Sequence, residues 1–325
     1  MIVWLKFIIC ALAIFLAGSR LTKYGDQLAD QTGLCKAWLG LVLLAMVTSL
    51  PELSNAISAA YINMPDLAVG DIIGACLINV FFLALFDLWQ RFKGNGSIFS
   101  GASSNNLLSA EFGTGILFIT FLGLGLSKLG FDFVVFNFSI YTLAIFIFYL
   151  LIQQKLYRNR RAGQEKKTKE KLDYFIIIQF FLMAVVVVAA GSWLPFVGNE
   201  IVELMGWGET FVAVLFLGIA TTLPELTVSF SALRLGEVGM CVGNFVGSNI
   251  FNVAILFIAD LFFRQGSLLA ASSPVLIYGA LSAAVLLAMV YSALKKGGKS
   301  HLPTVLIIYL YLLSLFLFFI VGRVS

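Results

Sequence analysis

The chain has 325 residues, of which 60% are hydrophobic and 12% charged, and its mean hydropathy is +0.99. Soluble domains carry about 25% charged residues, so a soluble globular protein is excluded. Uninterrupted apolar runs of about 20 residues exclude a β-barrel, whose strands are short and alternating. The net charge of +4 lies in segments between the runs and gives no sign of nucleic-acid binding.

Ten apolar runs follow one another near 2–18, 38–62, 67–90, 107–126, 133–153, 174–196, 210–233, 239–263, 270–294 and 302–322. Most are long enough to cross about 30 Å of hydrocarbon as a helix. The first follows Lys6 and imitates a signal peptide, but no small-residue cleavage site comes after it. "GSRLTKYGDQL" then reads as an ordinary loop. The second run contains "TSLPEL" (48–53), in which proline and glutamate stand side by side within a membrane span. An intramembrane carboxylate costs about 3 kcal/mol or more and marks function by default.

The third run carries "GDIIGACLIN", and Gly123 and Gly125 in the fourth allow close helix contact. After the fifth comes the one strongly charged segment, "QQKLYRNRRAGQEKKTKEKLD", a positive anchor between two halves. The seventh run repeats the broken motif as "TTLPEL" (221–226), the eighth reads "GNFVGSNIFN", and His301 opens the tenth at the interface. Cys10, Cys35, Cys76 and Cys241 are scattered without a CxxC pair and read as small packing residues.

Segments after the odd-numbered runs hold 17 of the 21 Lys and Arg residues. Those segments are therefore expected on the cytoplasmic side, with both termini outside. The organisation expected is an all-α polytopic membrane protein of ten transmembrane helices in two inverted five-helix repeats. These repeats span 1–154 and 174–325, on either side of a basic cytoplasmic loop at 155–173.

The inversion rests on a duplication. Residues 44–91 superpose without a gap on 217–264 at a spacing of 173, with 17 of 48 positions identical. The matches include Thr48 with Thr221, Pro51 with Pro224, Glu52 with Glu225, Asn79 with Asn252, Asp87 with Asp260 and Arg91 with Arg264. Apolar bias cannot align such residues. Inverted repeats with helices interrupted at matching positions point to a secondary transporter with a midplane site.

Pro51 and Pro224 lack an N–H, so the carbonyls of Val47 and Ala220 lose their helical partners. Freed carbonyls persist in a membrane only where they line a cavity or an ion path. Thr48 and Ser49 share the helical face of Glu52, as Thr221 and Thr222 share that of Glu225. With Asn79 and Asn252, the midplane offers an all-oxygen set suited to hard cations; Ca2+ takes about six to eight oxygens.

These motifs resemble the paired α-repeats of the cation/calcium exchanger superfamily, of Na+/Ca2+ antiporter type and prokaryotic-like. The resemblance implies a central ion site at Glu52, Asn79, Glu225 and Asn252, with hydroxyl ligands at Thr48, Ser49, Thr221, Thr222 and Ser248. Asp71 and Asn244 flank that site, and Pro51 and Pro224 make the helix breaks. Three positions depart from the pattern. Val47 and Ala220 stand where glycine is usual, Asp71 where Asn is usual, and Ala75 where a serine ligand is usual.

The function implied is exchange of Ca2+ for Na+ by alternating access, in a prokaryotic plasma membrane, without a cofactor or an obligatory protein partner. Proton/Ca2+ exchange is the alternative, since paired carboxylates can also release Ca2+ by taking up protons. An intramembrane aspartyl protease using Asp71 is a remote alternative: the matching residue is Asn244, so the second aspartate is missing. Asp71 is placed two turns from the site, as a relay, a vestibule charge or a simple hydrogen-bonding group. Asp87–Arg91 and Asp260–Arg264 read as anchoring i,i+4 pairs.

Overall fold

In a computed structural model the protein is a helical bundle, described over residues 2–32, 46–101, 103–136, 138–161 and 173–321. Its helices are α1 (Ile2–Thr32), α2 (Leu50–Tyr61), α3 (Pro65–Phe92), α4 (Ser104–Lys128), α5 (Ile140–Arg161) and α6 (Tyr174–Met205). There follow α7 (Glu209–Thr221), α8 (Leu223–Arg234), α9 (Val238–Phe262), α10 (Val275–Lys295) and α11 (Leu302–Val321). Local chemistry sets many of the ends. Ser103 and Asp173 cap α4 and α6 by accepting from the N–H groups of Asn106 and Phe175. Gly206, at φ +63°, closes α6 in the left-handed conformation that glycine permits.

Among the described residues, seven helices are long and apolar enough to cross a membrane, or eight if the bent pair α7 and α8 is one span. The fifth expected run supplies a shorter apolar helix, Ile140–Leu156. The first part of the second run, with Cys35 and Lys36, lies outside the described residues, as does the middle of the basic segment (162–172).

Two expectations are corrected. "GSRLTKYGDQL" is not a loop: α1 runs through it to Thr32. Leu21 and Thr22 there are buried, and Ala17 and Leu21 form a small apolar cluster with Val47 and Val187, so packing carries the helix past its polar residues. The fifth run does not start as a helix either. Val134–Val135 and Phe138–Ser139 pair as a short antiparallel hairpin, and α5 begins at Ile140. The aromatic and β-branched "FVVF" favours extended backbone.

The core is formed by α3 and α9, whose apolar windows are 83% and 78% buried, against 22% for α1 and 11% for α6. Glycines set how closely these helices approach. A Cβ on Gly74 of α3 would lie 2.6 Å from the Cα of Val214, and one on Gly218 would lie 3.1 Å from the backbone of Gly74. A Cβ on Gly123 would lie 3.0 Å from the Tyr141 Cβ, in keeping with the close contact expected there, whereas one on Gly125 would meet nothing within 4 Å.

At the ends of α3 and α9, buried aspartates gather the surrounding segments. Asp87 accepts from Arg91 Nε at 2.7 Å, Thr304 Oγ1 at 2.5 Å and the backbone N–H of Ile98 at 3.0 Å. Asp260 accepts from Thr142 Oγ1 at 2.6 Å and from the N–H groups of Ser139 and Leu268. The expected Asp260–Arg264 pair gives way to a different contact. The Arg264 guanidinium lies 4.6 Å above the Tyr61 ring, while neutral donors satisfy Asp260. Both aspartates act as helix-end anchors.

Candidate functional site

Each proline motif breaks its helix one residue before the new one starts. Ser49 (φ −89°, ψ 16°) and Thr222 (φ −81°, ψ 3°) both sit between the α and β regions of backbone space. At the second break the axis turns by 47°. Just before it, Ala213–Leu217 widens into a π-helical turn, as bulged turns near functional positions do. Pro51 and Pro224 stand in the first turns of α2 and α8, where a missing N–H goes unmissed. Glu52 and Glu225 follow in those same first turns, where the positive end of the helix dipole favours a carboxylate.

Every residue of the expected site is removed from solvent. Thr48, Ser49, Glu52, Asn79, Thr221, Thr222, Glu225, Ser248 and Asn252 are each 0% exposed. The two halves serve each other's carboxylates. Ser49 Oγ donates to Glu225 Oε1 at 3.0 Å, and Thr48 and Ser248 stand beside that same carboxylate. Thr221 stands beside Glu52, and Glu225 and Asp71 are within Coulombic reach of Glu52. Thr222 turns its proton back to the Gly218 carbonyl at 2.8 Å, leaving only lone pairs free.

Buried polar atoms are normally hydrogen-bonded, so the exceptions here carry information. Both oxygens of Glu52, Oε2 of Glu225, Oδ1 of Asn79, Oγ of Ser248 and the whole amide of Asn252 have no partner among the described residues. These belong to the expected site; Asn55, Asp71 Oδ2, Asn244 Oδ1, Ser127 Oγ, Asp132 Oδ2 and Gln153 Oε1 are unpartnered as well. Unpaired oxygens in such numbers are costly unless a cation meets them. Among the described residues no three of His, Cys, Asp and Glu cluster together. The acidic oxygens are therefore spread among amides and hydroxyls, an oxygen-only chemistry that suits Ca2+ or Na+.

Asp71 belongs nearer the centre than its sequence spacing suggested. Its Oδ1 accepts from Thr221 Oγ1 at 3.0 Å, across from the other half. Its counterpart Asn244 donates through Nδ2 to Ser229 Oγ at 2.9 Å and to the Glu225 carbonyl at 3.2 Å, while its Oδ1, like Asp71 Oδ2, has no hydrogen-bond partner among the described residues.

Three groups of residues escaped the sequence reading. Asn249 accepts from Asn79 Nδ2 at 2.9 Å and donates to the Cys76 carbonyl at 3.1 Å, clamping α9 to α3 and holding the Asn79 amide. Its signal was an amide inside an apolar span. Asn55, 0% exposed and beside Asp71, gave the same signal. Gly18 and Gly191 are the third group. A Cβ on Gly18 would lie 2.6 Å from the Pro224 ring, and one on Gly191 would lie 3.0 Å from the Pro51 carbonyl. They too are 173 apart, in "GSRL" and "GSWL", so the repeat could have been traced into the first and sixth runs.

A sequence model for the family described as sodium/calcium exchanger protein matches residues 2–155 and 175–321. The inner membrane protein YrbG of Escherichia coli is 25% identical over 259 residues, 77% of this chain and 76% of its own length. The sodium/calcium exchanger MaX1 of Methanosarcina acetivorans is 25% identical over 285 residues, 74% of this chain and 77% of its own. The fold matches the sodium-calcium exchanger NCX_Mj, soaked with 10 mM Na+ and zero Ca2+. Its TM-score is 0.65 at 18% identity, over 96% of this chain and 98% of the other.

Proposed function

The chain belongs to the sodium/calcium exchanger family, and from that premise we propose that it exchanges Ca2+ for Na+ at the buried site between α2, α3, α8 and α9. The observation that carries this reading is the pair Glu52 and Glu225, fully buried at matching helix breaks with carboxylate oxygens left unpaired. Two negative charges in a low-dielectric interior require positive charge to stay ionised. One Ca2+ supplies it, and so do Na+ ions in its place. Because both use the same oxygens, the two loads exclude each other, and that exclusion is the basis of antiport.

In this reading the ligands are Glu52, Asn79, Glu225 and Asn252, completed by the hydroxyls of Thr48, Ser49, Thr221, Thr222 and Ser248. The duplicated segments belong to two inverted five-helix repeats, ten spans in all, with both termini outside a prokaryotic plasma membrane and the basic segment 155–173 in the cytoplasm. Alternating access then moves one part of the bundle against the other around a fixed site. The partners are lipid and inorganic cations; no catalysis or cofactor enters.

Radioactive Ca2+ uptake into proteoliposomes tests the proposal, with an outward Na+ gradient, a pH gradient or neither. Uptake driven by the Na+ gradient alone is expected. Uptake driven by the pH gradient alone would make the protein a proton-coupled exchanger, and uptake under neither gradient condition would remove the Ca2+ assignment.

A further inference from the structure

The two amides of the expected site are held differently. Asn79 and Asn252 match in the repeat, and so do Cys76 and Asn249, each three residues before them. Cys76 and Asn249 bond to each other between α3 and α9. Asn249 Nδ2 donates to the Cys76 carbonyl at 3.1 Å, and Cys76 Sγ to the Asn249 carbonyl at 3.8 Å. Asn249 Oδ1 in turn accepts from Asn79 Nδ2 at 2.9 Å, and all three residues are buried. A carbonyl can only accept, so the Cys76 carbonyl decides which end of the Asn249 amide faces it. The end left over is an oxygen, so Asn79 must offer its N–H group there and turn its own oxygen the other way. That oxygen has no hydrogen-bond partner among the described residues. For Asn252 the residue placed to do the same is Cys76, which has no amide, and neither atom of the Asn252 amide is partnered among the described residues.

We propose that Asn249 is a positioning residue of the ion site: it locks the Asn79 amide with its oxygen toward the transported cation, in a sense set by the Cys76 carbonyl. The inference rests on the exchanger reading. An amide free to turn presents its N–H groups part of the time, and those repel a cation. Locking it removes that loss before the ion arrives, as preorganisation does for other ligands. Asn252 stays the adjustable amide, because the thiol of Cys76 cannot accept from one group and donate to another as an amide does. A residue that merely clamps α9 to α3 matters equally whatever stands at position 79. A positioning residue matters only where there is an amide to turn.

Equilibrium binding of radioactive Ca2+ to the purified full chain in detergent, paired with flux in proteoliposomes, decides the matter. Asn249→Leu keeps the branching of the side chain and frees the Asn79 amide. It is expected to raise the Ca2+ concentration for half-saturation about tenfold, about 1.4 kcal/mol. In an Asn79→Asp background the two carboxylate oxygens are equivalent and leave nothing to lock, so the same change should cost less than about twofold. Asn249→Ala serves if the leucine variant fails to fold, and Asn79→Ser, whose hydroxyl turns freely, is the background if Asn79→Asp does not bind Ca2+. Unchanged binding in a folded Asn249 variant, or an equal loss in both backgrounds, overturns the positioning role; with normal wild-type flux it leaves the exchanger reading intact. A loss confined to chains that carry Asn79, in a wild type without flux, overturns the exchanger reading and supports the positioning role. A wild type that neither binds nor moves Ca2+ overturns both.

Discussion

Glu52 and Glu225 differ in how they are held, although both stand in the first turn of a helix that follows a break. Glu225 is tied at one oxygen by Ser49, whereas Glu52 has both oxygens without a partner. Replacing either by glutamine keeps the volume and removes one charge. Near an effective dielectric constant of 20, two unit charges about 4 Å apart interact by about 4 kcal/mol. Glu52→Gln and Glu225→Gln should therefore each cut Ca2+ uptake by at least about tenfold while the protein still inserts and elutes as a single species. Near-normal uptake in either variant would remove that residue from the site. The inequality at 75 and 248 gives a second prediction. Ala75→Ser should lower the Na+ concentration that drives half-maximal exchange, and Ser248→Ala should raise it, both read from Na+-dependent Ca2+ flux.

Among the helices, the outer pair α1 and α6 touches the broken ones through glycine. Gly18 lies on the rigid Pro224 ring, whereas a Cβ on Gly191 first meets the Ser54 hydroxyl, which can turn aside. Overpacking of this kind costs about 1–3 kcal/mol. Gly18→Ala should thus lower the unfolding temperature of the purified protein more than Gly191→Ala; the reverse order would mean that α1 shifts to accommodate the methyl group. The helix ends give a further prediction. Asp87 holds α3 to the start of α11 through Thr304 and to its own last turn through Arg91. Asp87→Asn leaves Arg91 without its carboxylate and should destabilise by about 3 kcal/mol, seen as a lower melting temperature with Ca2+ affinity unchanged. A change in affinity at constant stability would instead put Asp87 on the ion path. The sequence showed which aspartates matter at these ends. It could not show that neutral donors from the hairpin and α5 would take Asp260 from Arg264, because those donors are 118 and 121 residues away in the chain.

For the molecule as a whole, the distribution of basic residues makes a prediction about orientation. Cysteines introduced at Gln164 and Lys296 should react with impermeant reagents only from the cytoplasmic face, and one at Asn199 only from the other. Labelling of all three from one face would turn one half over and end the inverted arrangement. By itself the sequence determined the membrane class, the family, the two helix breaks and the acids beside them. Those features are local or periodic: long apolar runs, prolines without an N–H, and a motif repeated at a fixed spacing. The tertiary structure decided which oxygens meet. Ser49 serves the glutamate of the other half, Thr221 holds Asp71, and Asn249 steadies Asn79. It also carried α1 through a polar stretch that reads as a loop and turned the start of the fifth apolar run into a hairpin. Each of these outcomes depends on packing between segments far apart in the chain, and side-chain spacing along one helix contains no record of what another helix will place against it.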